Sequence, residues 1–258
     1  MSPRFIQLAV ALAFSGIAIQ AQAVPVVFST TPGAVAASVS FDISGNQLLI
    51  RLTNTGTGDP SAPSQILTGV IFSIVGNPTL TAVSAILAPG SSVIHGPVVS
   101  TDAGGSVGGE WAYDNQLGGA NAGKQSVYSS GYFAGNNVFG GTNLQGPDSV
   151  DGVQYGITTL YDAATNDNGG IADSGLIKNA MDFVLGGLPA DFTLAMISNV
   201  SFQYGTSLTE PNLPGIPSCT GICPRVVELP EPASPALLGL GLAAAAAVGL
   251  RRRRHPNV

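Results

Sequence analysis

The residue types most able to do chemistry in this chain are carboxylates and amides crowded into one short segment. Residues 161–173 read YDAATNDNGGIAD and contain Asp162, Asp167, Asn168 and Asp173. Carboxylate and amide oxygens on a glycine-bearing loop suit Ca²⁺, although this spacing departs from the EF-hand pattern. Asp and Asn also favour turns for conformational reasons. We therefore expect an ordinary polar turn and no resident cofactor, with Asp162, Asp167 and Asp173 as calcium ligands in the alternative.

Aromatic rings in glycine-rich stretches form a second candidate group. Trp111 and Tyr113 lie in GGEWAYDNQLGG, and Tyr128, Tyr132 and Phe133 follow. An aromatic face in a loop can stack on a sugar ring, whereas most aromatic residues anchor a core. Trp111 and Tyr113 are thus candidate glycan contacts, and core packing is the competing interpretation.

A serine-hydrolase site and a histidine-centred metal site both lack the partners that they need. Residues 104–108 match G-x-S-x-G, but a nucleophile elbow requires a following helix and a later histidine. The stretch that follows has no helical pattern, and the later histidine is His255, three residues from the last residue of the sequence. His95 is the remaining histidine, and one histidine cannot build a zinc site without further ligands at suitable spacing.

Glycoside hydrolysis would need two carboxylates that converge on one bond. Glu110, Asp114, Asp148 and Asp151 are available, but nothing in their spacing selects a pair. We therefore expect solubilising acids and no enzyme activity, with a glycan-active hydrolase as an alternative.

The two cysteines lie close together, at Cys219 and Cys223 in CTGIC. In an oxidising compartment such a pair favours a small disulfide loop. Free thiols are an alternative, and a metal site would need two more ligands that the neighbouring sequence lacks.

Basic residues are concentrated at the two ends of the chain, and the region between them is acidic. Arg4 lies at one end and Arg251, Arg252, Arg253 and Arg254 lie at the other, so four of the nine basic residues remain between them. Against fifteen acidic residues these four leave a formal charge of −11. Such a surface repels phosphate backbones and anionic lipid, so we expect no nucleic-acid binding.

The N-terminus has the layout of a secretory signal peptide. Arg4 precedes an apolar stretch from Phe5 to Ile19, and Ala21 and Ala23 form a small-x-small cleavage site. We expect residues 1–23 to be removed after Sec export by signal peptidase. An N-terminal membrane anchor or a buried helix is the alternative.

The body of the chain, residues 24–215, carries strand signals throughout. Apolar residues alternate in VAASVSFDI, SGN supplies a turn, and QLLIRLTNT is the expected partner strand of a hairpin. ILTGVIFSIV and PTLTAVSAIL continue the pattern, DFTLAMISNVSFQYGT reads as two strands, and a single helical turn is the expectation for 175–183. With 34 glycines in the chain, this pattern predicts an all-β fold, an antiparallel β-sandwich with glycine-rich loops.

The C-terminal region combines a stalk, a tripeptide, an apolar helix and a basic stop. Repeated prolines in 216–229 predict an extended stalk that includes the cysteine pair. Residues 230–254 then hold Pro230, Glu231 and Pro232, 18 uncharged residues at 233–250, and the four arginines. A helix of that length covers about 27 Å, enough for a transmembrane span. The arginines would stop transfer on the cytoplasmic side, together with a short end at 255–258. A core helix is the alternative.

This arrangement resembles the PEP-CTERM sorting signal of Gram-negative bacteria. The resemblance implies recognition by an exosortase, a membrane cysteine transpeptidase that cleaves near Pro-Glu-Pro, in cells that usually make exopolysaccharide. Residues 49–74, 146–157 and 187–211 also resemble exported domains found ahead of this tail, which implies a surface protein without an assigned activity.

Together these features predict an exported cell-surface or extracellular-matrix protein. It would be tethered to the inner membrane, processed by an exosortase, and serve a structural or adhesive role in an exopolysaccharide layer or biofilm. A secreted carbohydrate-binding module that uses loop aromatics is the alternative from a different class.

Overall fold

The computed structural model describes residues 24–95, 105–129, 141–144, 154–164, 171, 175–207 and 209–218. The chain divides into two units, Met1–Pro217 and Ser218–Val258. The fold described below is that of the first unit, which includes the expected body.

The described residues form fifteen strands and four short 3₁₀ turns, and they contain no α-helix. The strands are β1 (Val26–Ser29), β2 (Ala37–Ser44), β3 (Gln47–Asn54), β4 (Leu67–Ile74), β5 (Thr81–Leu87), β6 (Ser92–Ile94), β7 (Ala112–Asp114), β8 (Gln125–Tyr128), β9 (Thr142–Asn143), β10 (Ile157–Thr158), β11 (Leu176–Lys178), β12 (Ala180–Gly186), β13 (Ile197–Tyr204), β14 (Asn212–Pro214) and β15 (Ile216–Ser218). The 3₁₀ turns are Pro63–Gln65, Gly108–Glu110, Gly119–Asn121 and Leu194–Met196. The all-β prediction is confirmed.

The first sheet has the strand order β15-β1-β2-β3-β12-β5. Its β2–β3 hairpin is the one that the sequence predicted, with Ser44 paired to Gln47. The two residues between them form the turn, and Gly45 takes a φ of +59°, a left-handed conformation that favours glycine. The turn chemistry therefore sets the register of the whole hairpin.

The second sheet is built around β4, which pairs with β8, β10 and β13. On one side of β4, β8 pairs with β7 and β7 pairs with β9. On the other side, β10 pairs with β11 and β11 pairs with β6, while β13 also pairs with β14. Among the described pairs, β10 and β11 run parallel and the others are antiparallel. The sheet is therefore mixed at one point, where the sequence predicted antiparallel pairing.

Side chains from both sheets meet in one hydrophobic core. On β2, Val39 and Phe41 are fully buried while the neighbouring Ser38 and Ser40 are not, as a strand with one inward face requires. The Phe41 ring lies 5.0 Å from that of Phe72 on β4, which brings the two sheets into contact. Facing sheets with a shared core are the arrangement of a β-sandwich.

Two local predictions were wrong. Residues 175–183 form strand structure, not a helical turn, because Met181, Phe183 and Leu185 alternate with partly exposed residues along β12. The stretch read as two strands near the end of the body is a 3₁₀ turn followed by the single strand β13. An irregularity in the β13 pairing between Ser198 and Ser201 interrupts the alternation there, which explains the misreading.

The described β-structure also extends into the segment that was predicted as a stalk. Strand β15 takes up residues 216–218 and lies next to β1 in the first sheet.

Candidate functional site

Asp162, the calcium candidate that the structure describes, lies in a buried hydrogen-bond cluster. Its Oδ1 accepts the Ala164 N–H at 2.8 Å and lies 3.1 Å from His95 Nε2, while Oδ2 accepts the Thr158 hydroxyl at 2.5 Å. The Lys178 ammonium donates to the Asp162 backbone carbonyl at 2.8 Å. Both carboxylate oxygens are thus engaged by protein groups, so the side chain holds the turn after β10 in place.

No group of three or more His, Cys, Asp or Glu side chains able to hold a metal occurs among the described residues. The two other calcium candidates, Asp167 and Asp173, lie outside them.

The turn that Asp162 holds carries two exposed apolar side chains, Leu160 at 56% and Tyr161 at 62% exposure. The backbone beneath them is fixed, because the Thr159 hydroxyl donates to the Gly58 carbonyl at 2.6 Å and accepts the Tyr161 N–H at 3.2 Å. Tyr161 therefore presents its ring to solvent from a rigid support. Tyr161 adjoins the acidic cluster in the sequence but was not among the predicted glycan contacts.

The structure buries both candidate glycan contacts, Trp111 and Tyr113. Trp111 is fully buried, its ring lies 4.8 Å from that of Phe183, and its Nε1 donates to the Tyr155 carbonyl at 3.1 Å. The fully buried Trp111 ring therefore offers no face to a sugar. Tyr113 and Tyr128 are buried as well, because β7 and β8 lie next to each other inside the second sheet. Tyr132 and Phe133 lie outside the described residues.

Burial raises the pKa of Tyr113 to about 12, and the nearby charge of Asp114 acts in the same direction, while the Leu80 hydrogen bond opposes them. The Tyr113 hydroxyl accepts the Leu80 N–H at 3.0 Å and donates to the Gln125 side-chain oxygen. Tyr113 is therefore a neutral structural link between the start of β5 and β8.

A cleft of about 300 Å³, here called the Asp114 cleft, opens beside this link. Three segments line it: 79–82 at the start of β5, 113–116 at the end of β7, and 141–142 at the start of β9. Its polar groups are hydroxyls, amides and one carboxylate, contributed by Thr79, Thr81, Asp114, Asn115, Gln116 and Thr142. Asp114 is 9% exposed, and its Oδ1 accepts the Gln116 N–H at 2.7 Å.

The carboxylates considered for hydrolysis do not form a described pair. Glu110 precedes β7 and Asp114 ends it. At the usual rise of a strand their backbones are about 13 Å apart. Asp148 and Asp151 lie outside the described residues. The serine of the G-x-S-x-G match, Ser106, forms an isolated bridge with Ile86, and a 3₁₀ turn follows it where an elbow requires a longer helix.

The residues of the predicted processing signals and of the predicted disulfide lie outside the described part of the chain. They are Ala21, Ala23, Cys219, Cys223, Pro230, Glu231, Pro232 and Arg251 to Arg254. Among the described residues, no helix has the length and apolar character needed to cross a membrane. The helix predicted at 233–250 falls beyond them and stays a prediction.

Comparison with known protein families identifies the C-terminal segment. Residues 228–254 match the PEP-CTERM protein-sorting motif. The chain carries a PEP-CTERM sorting signal. The match ends at the last of the four arginines, as predicted, and the PEP-CTERM motif indicates an exported protein that is anchored in a membrane and then processed by an exosortase. No curated protein and no solved structure matches this chain.

Proposed function

We propose that this protein is a non-enzymatic component of the cell surface or extracellular matrix, with a structural or adhesive role in an exopolysaccharide layer. The observation that carries the proposal is the PEP-CTERM motif at 228–254, which follows an all-β body. The body is acidic, as a soluble matrix component can be, and a negative surface limits binding to nucleic acid and anionic lipid.

In the proposed route, the signal peptide directs Sec export and signal peptidase cleaves after Ala23. The apolar segment 233–250 then holds the protein in the inner membrane of a Gram-negative cell, with Arg251 to Arg254 on the cytoplasmic side. An exosortase cleaves near Pro230-Glu231-Pro232, and the body reaches the cell surface or the medium.

Mass spectrometry of the C-terminus, comparing cell envelope with culture medium, tests this route. The wild-type chain is expected to lose everything after the Pro-Glu-Pro region. A variant with Pro230, Glu231 and Pro232 all changed to Ala should keep its four arginines and stay in the envelope. Pro224→Ala, a proline change in the predicted stalk, is the matched control and should be processed like the wild type. An intact arginine tail on the wild-type protein in every fraction would overturn the exosortase assignment.

A second candidate function is carbohydrate binding, favoured by the exposed ring of Tyr161 on its fixed turn. Aromatic residues provide large, rigid contact surfaces, and a ring held in place loses little entropy on binding. Retention of the protein on the polysaccharide of its producing cells should fall with Tyr161→Ala and persist with Tyr161→Phe. Val75→Ala, at another exposed apolar side chain, serves as the control. Equal retention of Tyr161→Ala and wild type would count against this candidate.

A further inference from the structure

The Asp114 cleft has walls that are held in fixed positions by side-chain hydrogen bonds. On one side the Asn115 amide donates to the Thr79 hydroxyl at 2.9 Å. Behind the lining, Tyr113 is held by the buried Gln125, whose amide donates to the Pro78 carbonyl at 3.0 Å and whose oxygen accepts the Tyr113 hydroxyl. A site whose walls are already ordered loses little entropy when it binds a ligand.

The cleft contains a carboxylate whose negative charge no described cation offsets. Asp114 is about nine-tenths buried, and among the described residues no lysine or arginine forms an ion pair with it. Its Oδ1 accepts one backbone N–H, from Gln116. A carboxylate can accept about four hydrogen bonds, so Asp114, which lines the cleft, keeps unused acceptor capacity. Buried charges are ordinarily paired, and a ligand donor would supply the missing partner.

The chemistry of the lining restricts the class of ligand. The carboxylate repels phosphates, sulfates and uronic acids. A metal ion is disfavoured because no cluster of three ligating side chains occurs in the described part of the chain. The hydroxyls and amides of the lining both donate and accept hydrogen bonds, and the Asp114 carboxylate is a strong acceptor. This combination suits a ligand rich in hydroxyl groups. A volume of about 300 Å³ lies at the lower end of small-molecule sites and fits one sugar unit.

We infer that the Asp114 cleft binds a single unit of a neutral polysaccharide, with the Asp114 carboxylate accepting hydrogen bonds from sugar hydroxyls. The inference rests on the proposed adhesive function and supplies its ligand class. It is independent of the Tyr161 turn. Tyr161 follows β10, which pairs with Leu67 at the start of β4. Gln125, the hydrogen-bond partner of Tyr113 in the cleft lining, pairs with Phe72 near the end of β4.

The test uses the full-length chain in a detergent without a sugar headgroup, run in native gels that contain a dissolved polymer. Dextran, mannan and galactan are the neutral probes, and alginate is the anionic comparison. The wild-type protein should be retarded by at least one neutral polymer and not by alginate. No retardation by any neutral polymer, or equal retardation by alginate, would overturn the inference.

Asp114→Asn removes the charge and keeps an oxygen that can accept the Gln116 N–H. Since hydrogen bonds to charged groups are the strong ones, the dissociation constant should rise at least about tenfold. Asp42→Asn is the matched control: Asp42 also accepts a backbone N–H, from Ile43 at 2.8 Å, but it lies on β2 of the other sheet. Asp42→Asn should change binding by less than about twofold.

If melting shows that Asp114→Asn is unfolded, Gln116→Ala replaces it, because Gln116 is exposed and its backbone N–H remains. A folded cleft variant that binds like the wild type would overturn the inference. The inference would also fall if Tyr161→Ala abolished retardation and Asp114→Asn did not.

C-terminal processing is measured separately, by mass spectrometry. A processed protein without polymer binding overturns the cleft only, and polymer binding by a protein with an unprocessed tail overturns the sorting route only.

Discussion

At the scale of single residues, the body places several tyrosine hydroxyls in its interior, and they differ in what they contact. The Tyr113 hydroxyl has two hydrogen-bond partners, Leu80 and Gln125. Among the described residues, the Tyr204 hydroxyl has none, although the side chain is fully buried. A buried polar atom without a partner lowers stability by about 1–3 kcal/mol. The two positions should therefore respond in opposite directions to the same substitution.

Tyr204→Phe should raise the free energy of unfolding by about 1 kcal/mol, because it removes an unsatisfied hydroxyl and keeps the ring. Tyr113→Phe should lower it by about 1–2 kcal/mol, because the Leu80 N–H loses its acceptor. Urea denaturation followed by circular dichroism measures both. A clear loss of stability in Tyr204→Phe would show that its hydroxyl has a partner after all.

Alkaline pH should destabilise the protein through the same tyrosines. Burial raises the pKa of Tyr113 to about 12, and it also raises the pKa values of Tyr128 and Tyr204. The unfolded chain loses its phenolic protons near pH 10, so unfolding releases protons above that pH. The stabilisation is complete below about pH 10 and is lost as the pH rises through the folded pKa values.

We expect the unfolding free energy to fall by up to about 1.4 kcal/mol per pH unit for each buried tyrosine above pH 10. Melting temperatures at a series of pH values from 8 to 11 measure the slope. Tyr204→Phe should reduce the slope, because it removes one of the buried phenols whose pKa is raised. An identical slope in Tyr204→Phe and wild type would contradict this explanation.

At the scale of elements, Asn54 links the two sheets. It ends β3 of the first sheet, and its side-chain amide donates to the carbonyl of Ile157 on β10 of the second sheet at 2.8 Å. Its oxygen accepts the Gly56 N–H at 3.1 Å, so the same side chain also shapes the turn that follows β3. Because Asn54 is buried, both bonds are shielded from water and their loss is not replaced by hydration.

Asn54→Ala should lower the free energy of unfolding by about 2 kcal/mol, because it leaves buried backbone groups without their partner. Gln47→Ala, at the opposite end of the same strand, is the control and should change stability by less than about 0.5 kcal/mol. Chemical denaturation compares the two variants with the wild type. Similar small effects of both would show that Asn54 is not a link between the sheets.

A second prediction at this scale concerns the cysteine pair in the segment after β15. In exported protein, Cys219 and Cys223 should form a disulfide, so the intact mass should be two hydrogens lower than that of the reduced chain. Thiol labelling without reductant should modify neither cysteine, and labelling after reduction should modify both. Labelling of both in the unreduced exported protein would show free thiols instead.

At the scale of the whole molecule, the PEP-CTERM motif determines where the body is delivered, and the body determines what it does there. The motif matches 228–254, and the described β-structure ends at Ser218. We therefore expect function at the destination to depend on surface features of the sandwich, and among the described residues the Asp114 cleft and the Tyr161 turn point to a ligand.

Processing at both ends is the prediction for the whole chain. N-terminal sequencing of exported protein should begin at Val24, after the Ala21-Gln22-Ala23 site. Ala23→Tyr, which blocks a small-x-small site, should yield the uncleaved N-terminus, whereas Ala18→Val within the apolar stretch should leave cleavage at the same place. An N-terminus at Met1 in wild-type exported protein would favour the membrane-anchor alternative.

The sequence by itself determined the all-β class, the β2–β3 hairpin and the sorting signal. Each of these is encoded locally: alternation along β2, glycine in a two-residue turn, and a contiguous motif at 228–254. At the irregularity in β13 the alternation of apolar residues is interrupted, and there the sequence wrongly predicted two strands.

Only the tertiary structure decided which polar and aromatic residues meet. His95 and Asp162 are 67 positions apart and pair in the interior, and the Asp114 cleft is assembled from three separate segments. Trp111 could have faced solvent or the other sheet, and the packing against Phe183 decided that it is buried. The physical reason is the same in each case: a strand's own sequence sets which residues share a face, but strand pairing and sheet packing set what that face contacts.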